Sequence, residues 1–395
     1  MSEFGRWLVI LLLSLTILIS GLVLTSYILD PFGVFHRDYP EWLGINRKKT
    51  AETGGYSRIV RPYRYRFYEP DMVLFGSSRT EIGLDPRSKY IKHMNPYNFA
   101  QGMMEWEENL QLLKHVHKTR PNAFLFIGLD FAMMNSEIAL NAVYNPHRLL
   151  PFWQGLYKSG DVLPLLLSKD IMQRNIKLMT DDTSKKCIYS RCLFARGHSM
   201  TRAWAKSIKK LRKELHNYRS QIRYIPDLFL FDESNPKYLA FMEAMELLYT
   251  WDHKVVFIIS PSHAEQVEAI RASKAYEVYE NWKRLVVRTV EDLADKHGKP
   301  PIPVFDFQGY NSVTTKIPGK KRPDENGYYL ESSHYTPKTG DLVLRRVFGQ
   351  DLDGVPDDFG VLITSKNIES HLQDQRKRQS LYHDKLRRLK IKILY

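Results

Sequence analysis

The sequence predicts an α/β protein with a three-layer arrangement around a mostly parallel central sheet, preceded by one N-terminal transmembrane helix. Three observations indicate this class. Short apolar runs end at a glycine or a polar turn, helical patterns lie between them, and one long uncharged apolar run lies at the start. The chain has 395 residues, of which 43% are apolar and 26% charged, so it is long enough and apolar enough to bury a sizeable core.

The long apolar run extends from Trp7 to Leu29, and its 23 residues include no charged side chain. About 20 helical residues cross the hydrocarbon core of a bilayer. A cleaved signal peptide has a shorter apolar region of about 7–15 residues and a small-x-small site, which Tyr27-Ile28-Leu29-Asp30 does not offer. We therefore predict an uncleaved signal anchor in residues 1–29 with a cytoplasmic stub. Residues 30–395 are then periplasmic or extracellular, outside the inner membrane.

The α/β domain is predicted at residues 70–350, after a juxtamembrane connector at 30–69 that is rich in Pro, Gly, Tyr and Arg. Short apolar runs predict strands at Asp71–Phe75, Tyr97–Ala100, Ala123–Ile127, Lys254–Ile259 and Pro303–Asp306. Helical spacing predicts helices at Glu105–His117, Pro236–Trp251, Ala275–His297 and Thr336–Phe348. Alternation of this kind is typical of a parallel sheet with helices on both faces.

Two segments depart from this alternation. Residues from about 135 to 235 are polar, basic and partly helical, and they predict a helical insertion. Residues 351–395 form a basic C-terminal tail, in which Leu381, Leu386 and Ile393 suggest an amphipathic helix. Such a helix either lies on an anionic membrane surface or is solvated and frayed, and the sequence leaves both interpretations open.

The formal net charge of +14 favours anionic partners such as lipid headgroups or acidic glycans. The sequence has no zinc-finger spacing and no RNP-like aromatic motif, so nucleic acid is not expected as a partner. It also lacks Walker A and dinucleotide glycine patterns, and no cofactor or metal is expected. Cys187 and Cys192 either close a small disulfide loop in an oxidising compartment or remain two free thiols.

Gly76-Ser77-Ser78 follows the first predicted strand and precedes a helix. A serine nucleophile needs exposure and a base within reach, and a sharp strand-to-helix turn of small residues supplies the exposure. Two serines at this place also form an ordinary helix N-cap, so the fragment alone identifies no site. Functional side chains gather beyond the carboxyl ends of parallel strands, however, where Gly128-Leu129-Asp130 lies as well.

Glu331-Ser332-Ser333-His334 lies near the other end of the predicted domain, before its last helix. An imidazole at this place can accept a serine proton, and a carboxylate three residues earlier can orient the other ring nitrogen. A capping histidine beside a surface glutamate is the alternative interpretation. The two fragments predict a reactive serine only if the fold brings them together.

Together the two fragments resemble sequence blocks of the SGNH (GDSL-like) hydrolase superfamily. Phe75-Gly76-Ser77-Ser78-Arg79-Thr80 is similar to its Gly-Asp-Ser-x-Thr block, and Glu331-Ser332-Ser333-His334 is similar to its Asp-x-x-His block. The membrane-anchored DltD-like and AlgX/AlgJ-like branches, which handle acyl groups on cell-surface polymers, are more similar still. The resemblance covers about residues 70–350 through short motifs. It implies a flavodoxin-like sheet and an extracytoplasmic serine esterase or O-acyltransferase acting on polysaccharide or a similar acylated polymer, with a membrane acyltransferase as a partner.

The resemblance also assigns roles to residues. Ser78 takes the position of the nucleophile, His334 that of the general base and Glu331 that of the orienting aspartate. Ser77 replaces the aspartate of the first block, and it is itself the nucleophile if the register shifts by one. A glutamate is one methylene longer than the aspartate of the family and still reaches an imidazole nitrogen.

The oxyanion hole departs from the family pattern. The backbone N–H of Ser78 and the second-block glycine, Gly102, are the expected contributors. Asp130 stands where the third block has an amide donor, and a carboxylate cannot donate a hydrogen bond unless it is protonated. Arg79 or Gln101 is an alternative donor. The departure keeps a second interpretation open, in which the domain is a catalytically inactive scaffold or glycan-binding subunit of a membrane assembly.

Overall fold

The computed structural model describes residues 2–35, 56–180, 204–213, 215 and 224–394. The chain divides into two compact units. The anchor unit comprises Met1–Tyr68 and Val143–Arg191, and the sheet unit comprises Glu69–Ala142 and Cys192–Tyr395.

The described helices are, in chain order, α1 Glu3–Leu29, α2 Ser57–Tyr65, α3 Ser78–Gly83, α4 Trp106–Thr119, α5 Phe152–Lys158, α6 Val162–Leu166, α7 Lys169–Thr180, α8 Ile208–Leu211, α9 Pro236–Thr250, α10 Ala264–Ala272, α11 Tyr276–His297, α12 Pro337–Phe348 and α13 Ile368–Arg388. The strands are β1 Met72–Phe75, β2 Tyr97–Asn98, β3 Phe124–Leu129, β4 Val255–Ile259, β5 Val304–Asp306 and β6 Val361–Leu362. Short 3-10 turns lie at Lys92–Met94, Phe131–Met134, Pro146–Leu149, Pro226–Leu228 and Pro323–Glu325.

The six strands form one sheet in the order β2-β1-β3-β4-β5-β6. The first five run parallel, and β6 pairs antiparallel with β5. The prediction of an α/β fold with a mostly parallel sheet and one N-terminal apolar helix is therefore confirmed. The parallel order places the carboxyl ends of β1 and β3 side by side, since Phe75 pairs with Ile127.

One face of this sheet carries a continuous apolar core. Side chains from alternate strand positions pack there against α12, as expected from the period of two along a strand. The core includes Met72, Leu74, Phe126, Val256, Ile258, Val343 and Leu344. Helix α12 follows the residues Glu331–His334, so its burial against the strands fixes the segment that precedes it.

The C-terminal segment at 351–395, predicted as a basic tail with an amphipathic helix, contributes one strand and one long helix. Strand β6 extends the sheet, and α13 begins at Ile368, earlier than the predicted amphipathic stretch. His371 Nε2 lies 2.8 Å from the buried Asp306 carboxylate at the end of β5, and Tyr382 donates a 2.6 Å hydrogen bond to Glu265. Leu386 is buried as well. Tyr382 and Leu386 of α13 are thus covered by the sheet unit, whereas Leu381 is 65% exposed.

The anchor unit begins with α1, a helix of 27 residues that is long and apolar enough to cross a membrane. Beyond its end, Phe32 and Val34 pack with Val60 and Tyr63 of α2 and with Leu156, Leu165 and Ile171. The last three lie inside the segment predicted as an insertion of the α/β domain. Part of that segment therefore belongs to the anchor unit, because its apolar positions complete a small core around the start of the connector.

Candidate active site

Ser78 is the first residue of α3, directly beyond the end of β1. The turn between strand and helix passes through Gly76, whose φ of +135° is open to glycine and rarely to other residues. A Cβ on Gly76 would also lie 2.6 Å from the Thr80 hydroxyl oxygen. Ser77 caps the helix by accepting a 3.2 Å hydrogen bond from the Arg79 backbone N–H. Ser77 is therefore the N-cap of α3, and Ser78 follows it at the carboxyl end of β1.

Ser78 and His334 meet across 256 residues of chain, with Ser78 Oγ 2.6 Å from His334 Nε2. On the other side of the ring, His334 Nδ1 hydrogen-bonds to Glu331 Oε1. The Glu331 carboxylate also accepts hydrogen bonds from the backbone N–H groups of Ser333, at 2.7 Å, and of His334, at 2.9 Å. Serine, imidazole and carboxylate therefore stand in the order that a serine nucleophile requires.

Glu331 is ionised in this arrangement. Burial of the side chain raises its pKa, but the hydrogen bonds from the His334 ring and from the two backbone N–H groups together outweigh burial and hold the pKa below its usual value. A carboxylate that keeps its charge favours the ring tautomer with a proton on Nδ1 and stabilises the imidazolium that forms when Nε2 accepts a proton.

Asp130 and Arg79 form a buried ion pair beside the serines, with Arg79 Nη1 2.7 Å from Asp130 Oδ1. The side chains are 5% and 2% exposed. The Ser77 hydroxyl donates a hydrogen bond to the other oxygen of Asp130, and Arg79 Nε donates a 3.2 Å hydrogen bond to the Ser333 hydroxyl. The network therefore links the nucleophile turn, the end of β3 and the base segment. Ser333 is a member that sequence reasoning missed, because its partner lies 254 residues away.

Helices α3 and α12 approach each other through two glycines. A Cβ built on Gly340 would lie 1.8 Å from the Gly83 carbonyl oxygen, and a Cβ built on Gly83 would lie 1.8 Å from the buried Tyr335 ring. Ser78 begins the first helix, and His334 directly precedes Tyr335. The absence of side-chain atoms at these two positions therefore allows the close approach of α3 and α12 next to Ser78 and His334.

A small pocket that is open to solvent lies against Ser78. Its polar wall includes Ser77, Arg79 and Asp130. Its apolar wall is formed by Met103, Met104, Ala132, Met133 and Ile138. Met133, just beyond the carboxyl end of β3, is 3% exposed and also packs in the interior.

Met103 is notable within that wall. Its side chain is 45% exposed and its backbone has a φ of +54°, a conformation that non-glycine residues adopt at some cost. It follows Gly102, where an added Cβ would lie 3.9 Å from Ser78 Cβ. The turn that contains Gly102 therefore passes directly beside the serine, as expected for the second-block glycine.

The remaining sequence expectations fall elsewhere. Cys187 and Cys192 lie outside the described residues. Ser260-Pro261-Ser262-His263 follows β4 and leads into α10, where His263 is the N-cap. Among the residues that the structure describes, no group of three or more His, Cys, Asp or Glu side chains is arranged to hold a metal ion.

Comparisons of the chain with models of known protein families, with curated proteins and with solved structures found no match.

Proposed function

We propose that this protein is a membrane-anchored, extracytoplasmic serine esterase or O-acyltransferase of the SGNH type. The single observation that carries the proposal is the contact of Ser78 Oγ with His334 Nε2 at 2.6 Å, with Glu331 hydrogen-bonded to the opposite ring nitrogen. The proposal includes a three-layer sandwich for the sheet unit. Its support is that α12 covers one face of the sheet, while α9 packs against α4 and α11.

The proposed reaction is acyl transfer in two halves. His334 Nε2 takes the proton of Ser78 as Oγ bonds to the carbonyl carbon of an ester, and Glu331 stabilises the imidazolium. The carbon–oxygen bond to the leaving alcohol then breaks, the alcohol takes the proton from His334, and the acyl group stays on Ser78. Water or a sugar hydroxyl next loses its proton to His334 and attacks the acyl-enzyme. Ser78 recovers its proton, and an acid or a new ester leaves.

The oxyanion of each tetrahedral intermediate needs hydrogen-bond donors. We assign this role to the backbone N–H of Ser78, with the Gly102 turn as the neighbouring wall. Asp130 and Arg79 are better explained as positioning residues, because they form an ion pair with each other. Asp130 also accepts a hydrogen bond from Ser77, and Arg79 donates one to Ser333. This explains how a carboxylate can occupy the place of the family's amide donor.

The apolar wall of the cavity suits the acyl part of the ester. Met103, Met133 and Ile138 offer flexible or branched apolar surface beside Ser78, and burial of each additional methylene of a bound chain contributes about 0.8 kcal/mol. A polysaccharide or a similar acylated polymer supplies the alcohol part, and a membrane acyltransferase is the proposed partner that exchanges acyl groups with Ser78. Helix α1 holds the protein at the membrane where such polymers are exported.

A fluorophosphonate probe tests the proposal, because the Ser78 hydroxyl displaces fluoride from phosphorus only when a base activates it. We expect the full-length protein in detergent to become labelled on Ser78, as located by peptide mass spectrometry. Ser78→Ala and His334→Ala should abolish labelling. Ser77→Ala is the matched control, and it should be labelled, though more slowly because the helix cap is lost.

A second candidate function is a non-catalytic glycan-binding subunit of a membrane assembly. It is favoured by one observation, the carboxylate of Asp130 at the place of an amide donor. The same experiment separates the two functions. Absence of labelling in a protein that still binds the exported polymer would contradict the enzyme and support the scaffold.

A further inference from the structure

The helices of the anchor unit expose large apolar side chains in addition to those of α1. Trp153 is 66% exposed and Tyr157 83% exposed on α5, and Leu163 is 64% exposed on α6. Ile176 and Met179 on α7 are 61% and 69% exposed. We refer to these five residues as the apolar rim. A water-facing surface of this composition is costly, and such patches mark interaction sites.

Helix α7 runs back along α1, toward the part of α1 that must lie in a bilayer. Ile171, near its start, packs in the cluster with Phe32, which follows the end of α1. One turn later, Asn175 Nδ2 donates a 2.9 Å hydrogen bond to Ser26 Oγ inside the last turn of α1. Helix α7 thus starts beside residues that follow α1 and continues alongside the last turn of α1.

Continuing in this direction, Met179 lies about 6 Å beyond Asn175, at the rise of 1.5 Å per residue of a helix. This is the level of the last apolar turns of α1, where neighbouring residues such as Leu24 are 57% exposed. Side chains at this level face the same surroundings as α1 itself, so Ile176 and Met179 adjoin hydrocarbon if α1 spans a membrane.

The tryptophan of the rim is connected to α1 through a row of rings. Tyr27 of α1 lies 5.2 Å from Phe35, Phe35 lies 6.1 Å from Phe152, and Phe152 lies 4.9 Å from Trp153, measured between ring centroids. Helix α6, which carries Leu163, also packs against α1. All three helices of the rim are therefore built around one end of the membrane helix.

We propose that the apolar rim is seated in the interface of the bilayer that α1 crosses, so that the anchor unit is held by a membrane-spanning helix and by a monotopic surface. The proposal rests on the membrane-spanning role of α1. Trp and Tyr are enriched at membrane interfaces, and helices with one apolar face lie in that plane. The exposed Lys158 of α5 suits anionic headgroups.

The test uses the full-length protein with Cys187 and Cys192 replaced by serine and one new cysteine that carries an environment-sensitive fluorophore. The rim positions are Trp153→Cys, Ile176→Cys and Met179→Cys. Gln154→Cys and Lys169→Cys are matched controls on the same helices, and Ile17→Cys reports on α1. Each variant is reconstituted in vesicles of phosphatidylethanolamine and phosphatidylglycerol, and quenching by nitroxide-labelled lipids is compared with quenching by aqueous iodide.

We expect lipid nitroxides to quench the rim positions several-fold more strongly than the controls, and iodide to quench the controls more strongly. Iodide quenching at Ile176 and Met179 equal to that at Lys169, with Ile17 protected, would overturn the rim while leaving the anchor in place. Iodide access at Ile17 as well would overturn both. Neither result bears on the catalytic proposal, which fluorophosphonate labelling of Ser78 tests separately.

Discussion

The candidate active site of the sheet unit and the apolar rim of the anchor unit differ in how their side chains are arranged. Ser78, His334 and Glu331 meet through single atoms at hydrogen-bond distance, for example 2.6 Å between Ser78 Oγ and His334 Nε2. The rim acts through area, with five side chains that are each at least 61% exposed. We therefore expect the exchange of one atom in the candidate active site to lower the reaction rate by orders of magnitude. The exchange of one side chain in the rim should hardly change its depth in the bilayer.

The largest effect is expected from Glu331→Gln. The amide keeps the shape of the side chain but removes the charge that stabilises the imidazolium, and it favours the wrong ring tautomer. We expect kcat on a chromogenic ester to fall on the order of 10³–10⁴-fold. Membrane association, measured by flotation with vesicles, should stay unchanged. Glu331→Asp is the control that keeps the charge, and a loss in Asp as large as that in Gln would contradict the role of the carboxylate.

Asp130→Asn is expected to have the next largest effect, on stability. The exchange removes the carboxylate charge that pairs with the buried guanidinium of Arg79, so the free energy of unfolding should fall by about 3–5 kcal/mol. Urea unfolding of the detergent-solubilised protein measures it. Asp85→Asn breaks the ion pair of Asp85 with Arg87, whose side chains are 17% and 38% exposed, and it should cost less than about 1 kcal/mol. Equal losses in the two variants would refute the buried pair.

His263 makes the sheet unit sensitive to acid. Burial lowers the pKa of His263 from 6.5 to about 4, although neighbouring Glu265 opposes the shift. Between these values the unfolded chain binds a proton that the folded chain does not. The stabilisation is therefore complete above pH 6.5 and is lost as the pH falls to about 4, by roughly 3 kcal/mol. Unfolding free energies measured across this range should show a weaker pH dependence in His263→Asn, which retains a capping acceptor. An unchanged slope would exclude His263 as the cause.

A smaller effect is expected at the apolar wall of the cavity. Ile138→Ala removes partly exposed apolar surface, so kcat/KM should fall severalfold for a longer acyl chain and hardly at all for an acetyl ester. A series of chromogenic esters of increasing chain length measures this. Ile225→Ala, at a residue 39% exposed that does not line the cavity, is the matched control. A uniform loss over all chain lengths would argue against an acyl-binding wall.

The smallest effect is expected from a single exchange in the rim. Leu163→Ser should leave the depth of a fluorophore at Ile176 almost unchanged, because Trp153, Tyr157 and Met179 remain. A combined exchange of Trp153, Tyr157 and Leu163 to serine should make that fluorophore measurably more accessible to iodide. If Leu163→Ser alone exposed that fluorophore to iodide, the description of the rim as a surface whose side chains contribute jointly would be wrong.

Sequence reasoning predicted the sheet well, because buried strands and amphipathic helices are coded by local periodicity. The apolar run at Lys254–Ile259 is β4, and the pattern at Ala275–His297 is α11, each within one residue. The composition of the anchor unit was missed, since no local pattern in residues 152–180 shows that they pack with Phe32 and Val34. The packing of α13 was missed for the same reason.

The candidate site shows the same limit. The turn at Ser78 and the segment at His334 were each identified from sequence as candidates, but their contact depends on a sheet that joins distant parts of the chain. The hydrogen-bond partners of Asp130 could not be predicted from sequence. Its carboxylate looked like a defect in an oxyanion hole, and only the position of Arg79, 51 residues away, gives it an ionic partner.

The glycine contact between α3 and α12 offers a way to alter the candidate site from a distance, through the spacing of two helices. A methyl group at Gly340 would need the two backbones to move apart by more than an ångström, since its closest neighbour would lie only 1.8 Å away. Because a backbone oxygen cannot rotate aside as a flexible side chain does, the whole of α12 would have to slide. Gly340→Ala therefore acts as a wedge, which would uncouple the hydroxyl from the imidazole without altering any reacting group.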